Sequence, residues 1–93
     1  MFKSENNQIT IEQMRKLDEE YTFVDIRDEI SFEYGHIDGA KNIPLAKIEE
    51  DSSLLPKDKL VILCCKSGQI SDELAENLRD DGFNAVNLEG GLL

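Results

Sequence analysis

Two adjacent cysteines, Cys64 and Cys65, are followed at once by Lys66-Ser67-Gly68-Gln69, and this stretch carries the side chains best suited to covalent chemistry. The thiolate is the reactive form of cysteine, and it is favoured where positive charge or unpaired backbone N–H groups face the sulfur. Lys66 places a charge next in sequence, and Gly68 lets the backbone turn so that several N–H groups converge. The chemistry open to such a group is nucleophilic attack, with an anionic group on the sulfur held by the loop amides. Free cysteines are usually buried small hydrophobes, a reading that suits Cys64 because it still belongs to an apolar run. For Cys65 the residues alone leave both readings open.

The surrounding pattern positions this pair. Leu60 to Cys64 is short, continuously apolar and β-branched at Val61 and Ile62, as a buried parallel strand reads. Ile70, Leu74, Ala75 and Leu78 then recur at helical spacing up to Gly82, which predicts a helix with these four on its buried stripe. Cys65 therefore falls where a buried strand enters the first turn of a helix, whose free N–H groups and dipole favour an anion.

A second strand signal, Tyr21 to Ile26, ends in Asp25-Ile26-Arg27-Asp28, and strand carboxyl ends line the ligand crevice in open α/β sheets. Arg27 either serves an anionic ligand or pairs with Asp25 or Asp28. His36, the sole histidine, is either a loop-fixing hydrogen-bond residue or a catalytic base. Further expectations are a lead-in over residues 1–7, an edge strand at Gln8 to Thr10, and a helix over Ile11 to Leu17 capped by Thr10 with Gln13. Short helices are expected over Glu29 to Tyr34 and Leu45 to Glu50, an extended piece at Asn42-Ile43-Pro44, a loop over Asp51 to Lys59, and a last strand over Phe83 to Leu88. Short strands alternating with helices predict one α/β sandwich with a mainly parallel sheet.

The 93 residues fit one domain, and ten basic against twenty acidic residues give a formal charge of −10, which argues against nucleic acid and anionic membrane as partners. Two adjacent cysteines make no disulfide framework and fit a reducing, cytoplasmic setting. Two cysteines without CxxC spacing and one histidine do not make a zinc pattern, so no metal is expected. No signal-like or membrane-length apolar segment is present in the sequence.

The chain resembles the single-domain form of the rhodanese family over nearly its full length. The resemblance rests on Val24-Asp25-Ile26-Arg27, Glu33 to Ala40 with Asn42-Ile43-Pro44, Val61 to Gly68, and Gly82-Phe83 with Asn87 to Gly91, in the family's order. It implies a three-layer sandwich around a parallel sheet of about five short strands. It implies sulfur transfer of the thiosulfate sulfurtransferase kind: a sulfane sulfur moves from a small anionic donor or a protein persulfide, through a Cys65 persulfide, to a thiol or cyanide acceptor. No cofactor beyond that persulfide is implied. Cys65 would be the nucleophile, with Lys66, Ser67, Gly68, Gln69, Ile70 and Ser71 as the substrate-holding loop and Arg27 in the pocket wall. Asp25 and His36 would be structural supports.

Ile70 stands where active members commonly carry an arginine, so turnover with small anions is expected to be weak or the donor to differ. The alternative is a catalytically weak rhodanese-like module that docks a partner protein. Phosphatase or arsenate-reductase chemistry is disfavoured, because with five residues between cysteine and arginine the matching position is Ser71 from Cys65 and Ile70 from Cys64, and neither makes an arginine's bidentate oxyanion contacts. The domain is expected to span 1–93, with its C-terminal helix truncated after Leu93.

Overall fold

Leu60–Cys64 forms a strand, β4, whose five residues are all buried, because it is paired on both edges and covered on both faces. The computed structural model describes Phe2 and residues 6–92; most of the expected lead-in over 1–7 and the truncation after Leu93 lie outside the described residues. The other strands are β1 (Gln8–Ile9), β2 (Tyr21–Asp25), β3 (Lys41–Asn42) and β5 (Asn84–Leu88). They make one five-stranded sheet in the order β1-β5-β4-β2-β3, and every pairing is parallel. Helices α1 (Ile11–Arg15), α2 (Glu29–Tyr34), α3 (Leu45–Glu50) and α4 (Gln69–Asp80) connect them. A parallel sheet needs such crossovers and exposes neither face, which is why β4 reads as an unbroken apolar run.

Successive strand residues point to opposite faces, and the core divides accordingly. Leu60, Ile62 and Cys64 pack with Met14 of α1, Phe23 and Leu88. Val61 and Leu63, with Cys65 beyond them, pack on the other face with Leu74, Ala75 and Leu78 of α4 and Ile48 of α3. Each fully buried Leu, Ile or Val contributes about 1.5–3 kcal/mol by removal from water.

The expected capping box is present: Gln13 N–H donates to Thr10 Oγ1 at 3.0 Å, and Thr10 N–H to Gln13 Oε1 at 2.9 Å. Two local differences stand out. The loop before β4 contains a 3-10 turn at Ser52–Leu54, capped by Asp51. On α4 the buried residues are Ser71, Leu74, Ala75 and Leu78, while Ile70 is 53% exposed. Residues 71, 74, 75 and 78 share one face, so Ile70 lies past the edge of the stripe and faces away from the core.

The strand ends are tied together where β4 gives way to its loop. Asp25 lies level with Cys64 across β2 and β4, and Leu63 with Asn87 across β4 and β5. Ile26 N–H donates to Cys64 O at 3.0 Å, and Leu45 N–H to Ile26 O at 3.0 Å. These bonds fix the segment after β2 and the start of α3 beside the loop that follows Cys64.

Candidate active site

Cys65 sits at the base of a loop, Lys66-Ser67-Gly68, that joins β4 to α4. Gly68 takes the left-handed conformation (φ +89°) at the N-cap of α4, a geometry that a glycine adopts without strain. The loop thereby folds back over the sulfur. Gly68 N–H and Ser71 N–H donate to Cys65 Sγ at 3.2 and 3.4 Å, and Ser71 Oγ lies 3.2 Å from it.

These contacts decide the acidity of the thiol. Burial pushes Cys65 up, but the hydrogen bonds from the Ser71 hydroxyl and from the backbone N–H groups of Ser71, Gly68 and Ile70 outweigh it. The net shift is downward from the ordinary thiol value, towards thiolate. Cys64 moves the other way: burial, then the nearby Asp25 charge, push it up to about 12. It is fully buried and is a packing residue of the opposite face.

A cavity of about 290 Å³ opens above Cys65. Lys66 and Ser67 of the loop and Ile70 of α4 line it together with Cys65. The other wall comes from Ile26, Arg27 and Asp28 after β2, from Ser31 of α2 and from Leu45 of α3. Arg27 combines the two roles left open by the sequence. It lines the cavity, yet its Nε and Nη2 donate to the buried Asp25 carboxylate at 2.7–3.0 Å and its Nη2 also to Gly35 O at 2.7 Å. The hydrogen bond to Asp25 is the main reason its guanidinium is held above its ordinary value. Asp28 caps α2, and the Ser31 N–H and hydroxyl, at 2.8 and 3.1 Å, hold its carboxyl below the usual range.

The remaining residues singled out from the sequence fall elsewhere. Gln69 is exposed at the start of α4 and does not line the cavity. Ser71 lies beneath the sulfur, fully buried, and not on the cavity wall. His36 is outside the cavity, its Nδ1 2.8 Å from Phe32 O and its ring stacked on Phe32 at 3.7 Å.

Three contributors went unrecognised in the sequence. Asn87, buried on β5, accepts from the Ser71 hydroxyl, and its Nδ2 donates to Gln8 Oε1 at 2.8 Å. Gln8 Nε2 in turn donates to the Asp72 carboxylate at 2.8 Å. A carboxylate only accepts, so Asp72 sets the direction of this chain of donors back to Ser71. Ser71 has one hydroxyl hydrogen, and Asn87 Oδ1, Gly68 O and Cys65 Sγ all lie within its reach. Gly91 is the third. It lies against the back of the loop, where an added Cβ would stand 2.6 Å from Gly68 N and 2.7 Å from Lys66 O. Leu92 N–H closes the contact on the Cys65 and Lys66 carbonyls at 3.1 and 2.9 Å. A polar residue between the apolar Val86 and Leu88 was the available signal for Asn87, and the Gly90-Gly91 pair for the close approach. Among the described residues no cluster of His, Cys, Asp and Glu could hold a metal, and no helix is long and apolar enough to cross a membrane.

Comparison with known proteins agrees with this geometry. The model of the rhodanese-like domain matches residues 10–93. The chain is 36% identical over 84 residues to the uncharacterized protein YqhL of Bacillus subtilis, covering 89% of this chain and 67% of that protein. It is 36% identical over 76 residues to the putative sulfurtransferase YtwF of the same organism, covering 82% and 74%. The crystal structure of a rhodanese-related protein from Thermoplasma volcanium superposes with a TM-score of 0.82 at 29% identity, covering 91% of this chain and 85% of that one. By sequence and by fold alike, the chain belongs to the rhodanese family.

Proposed function

We propose that the chain is a sulfurtransferase that carries a sulfane sulfur as a persulfide on Cys65. The observation that carries this reading is the cradle around Cys65 Sγ: two backbone N–H groups and the Ser71 hydroxyl surround a sulfur at the foot of an accessible cavity and bias it towards thiolate. With an anionic donor such as thiosulfate, the Cys65 thiolate attacks the outer sulfur. The new S–S bond forms on Cys65, the donor's S–S bond breaks, and its electron pair leaves with sulfite. The persulfide anion is held by the loop N–H groups until an acceptor thiolate or cyanide takes its terminal sulfur. No general base is required, since a thiol whose pKa is lowered is already biased towards the reactive thiolate. Lys66 and Ser67 are positioned to contact the donor at the cavity wall, while Gly68 and Ser71 serve the sulfur itself. Asp25 holds Arg27 in the wall, and His36 stiffens the turn after α2. The relative YtwF, named as a putative sulfurtransferase, supports the same reaction class.

The test is mass spectrometry of the intact protein after incubation with thiosulfate, 3-mercaptopyruvate or a cysteine desulfurase charged with sulfur. One added sulfur, removable by a small thiol, is expected on the wild type and on Cys64→Ser but not on Cys65→Ser. Absence of the adduct with every donor would replace this reading with that of a partner-docking module.

A further inference from the structure

Which donor suits the cavity follows from what its walls present, and this inference rests on the sulfurtransferase reading above. Three lining residues, Ile26, Leu45 and Ile70, are aliphatic, and Ile70 is the exposed one at the mouth. Of the charged groups in the wall, Arg27 is already matched by the buried Asp25 carboxylate through paired hydrogen bonds. That leaves Lys66 and Asp28, one of each sign, and Asp28 is fixed as a carboxylate by its two bonds to Ser31. The cavity as a whole has almost no net positive charge to offer, on a chain whose formal charge is −10. A small dianion with no carbon skeleton would find Lys66 as the one lining cation not already matched by a carboxylate, with the Asp28 carboxylate and the aliphatic surface of Ile26, Leu45 and Ile70 around it. A donor whose sulfane sulfur is attached through a thioalkyl group would put sulfur on the loop amides and carbon on Ile26, Leu45 and Ile70.

We infer that the preferred donor is an alkyl hydropersulfide, R–S–SH, with Ile70 the residue that selects it over an inorganic oxyanion. The Cys65 thiolate attacks the terminal sulfur; the bond from Cys65 Sγ to that sulfur forms as the R–S–SH sulfur–sulfur bond breaks. The electron pair leaves with R–S⁻ and the proton stays on the transferred sulfur, so the products are Cys65–S–SH and a thiolate. The same chemistry is offered by a free thiol metabolite and by a cysteine on another protein.

Single-turnover loading is measured by mass on the Cys64→Ser background, with thiosulfate, cysteine hydropersulfide and a persulfide-charged cysteine desulfurase, on Ile70 and on Ile70→Arg and Ile70→Leu. Because apolar contacts in a pocket discriminate by roughly tenfold or more, the hydropersulfides should load with about tenfold higher efficiency than thiosulfate. Ile70→Leu should keep that ratio, and Ile70→Arg should shift it by about tenfold towards thiosulfate through the added oxyanion contacts. Loading by the free hydropersulfide assigns the donor to a small thiol, and loading by the desulfurase alone assigns it to a protein. Thiosulfate equal to or better than both, or a ratio indifferent to Ile70→Arg, overturns the donor assignment while leaving sulfur transfer intact. No loading from any donor overturns both.

Discussion

The two faces of the sheet at the end of β4 hold chemically identical groups, one residue apart, in opposite states. Cys64 points into the layer covered by α1, among Phe23, Ile62 and Leu88, where burial and the Asp25 charge outweigh the opposing charge of Arg27 and the thiol is pushed up to about 12. Cys65 points to the α4 side, also buried but lining the cavity, beneath a loop whose N–H groups and Ser71 hydroxyl reach its sulfur. Burial alone therefore silences a thiol, and burial with converging donors activates it. Strand alternation separates the two, since adjacent residues of a strand face opposite ways.

The most severe way to break the contrast is from behind the loop. Gly91→Ala places a Cβ 2.6 Å from Gly68 N at a residue with φ +60°, so the loop must shift or the turn must unwind. A loss of about 2–4 kcal/mol in urea unfolding is expected, together with slower alkylation of Cys65. Unchanged reactivity would mean that Gly91 does not hold the cradle.

Ser71→Ala acts on the Cys65 face alone. It removes the side-chain hydrogen bond that lowers the thiol and leaves Asn87 without its hydroxyl partner. Because a hydrogen bond to a charged group contributes about 1.5–3 kcal/mol, a fall of roughly tenfold or more in thiolate fraction at neutral pH is expected, read from the ultraviolet absorbance of the thiolate. Asn87→Leu should also perturb Cys65 while leaving Cys64 silent.

On the Cys64 face the effect at neutral pH is the smallest, because it is confined to alkaline solution. Its thiol is raised from 9.0 to about 12 on folding, so the native state keeps a proton that the unfolded chain releases first. The associated stability is complete below pH 9 and is lost as the pH rises towards 12. The slope approaches about 1.4 kcal/mol per pH unit for one proton. Cys64→Val, apolar and of similar bulk, should flatten the fall of unfolding free energy in that window. An equally steep fall in the variant would show that other groups cause it.

Much of this arrangement was legible in the sequence because it is local. The apolar run of β4, the Thr10–Gln13 capping box and helices α2 and α3 follow from neighbouring residues, and each appears with the expected bounds or nearly so. That Cys64 belongs to the buried strand and Cys65 follows it was also legible, since the apolar run was expected to span Leu60 to Cys64. What the sequence did not disclose comes from distant pairings. Ser71 looked like a polar residue of the binding loop, and only packing of α4 on the sheet buries it and turns Ile70 outward. The link from Asn87 to Gln8 joins residues at opposite ends of the chain and depends on the β1–β5 register, which local pattern does not reveal. The approach of Gly91 to Gly68 is a contact of the same long-range kind.

The contrast between the two thiols is tested most directly by the rate of iodoacetamide alkylation of each, resolved by peptide mass spectrometry across pH 5 to about 10, where thiolate is the reacting form. Cys65 should be modified at neutral pH, with a midpoint below the ordinary thiol value of 9.0, while Cys64 stays unmodified in the folded protein throughout. A Cys65 midpoint at or above 9.0, or modification of both thiols at similar rates, would contradict the assignment of sulfur chemistry to Cys65 and of packing to Cys64.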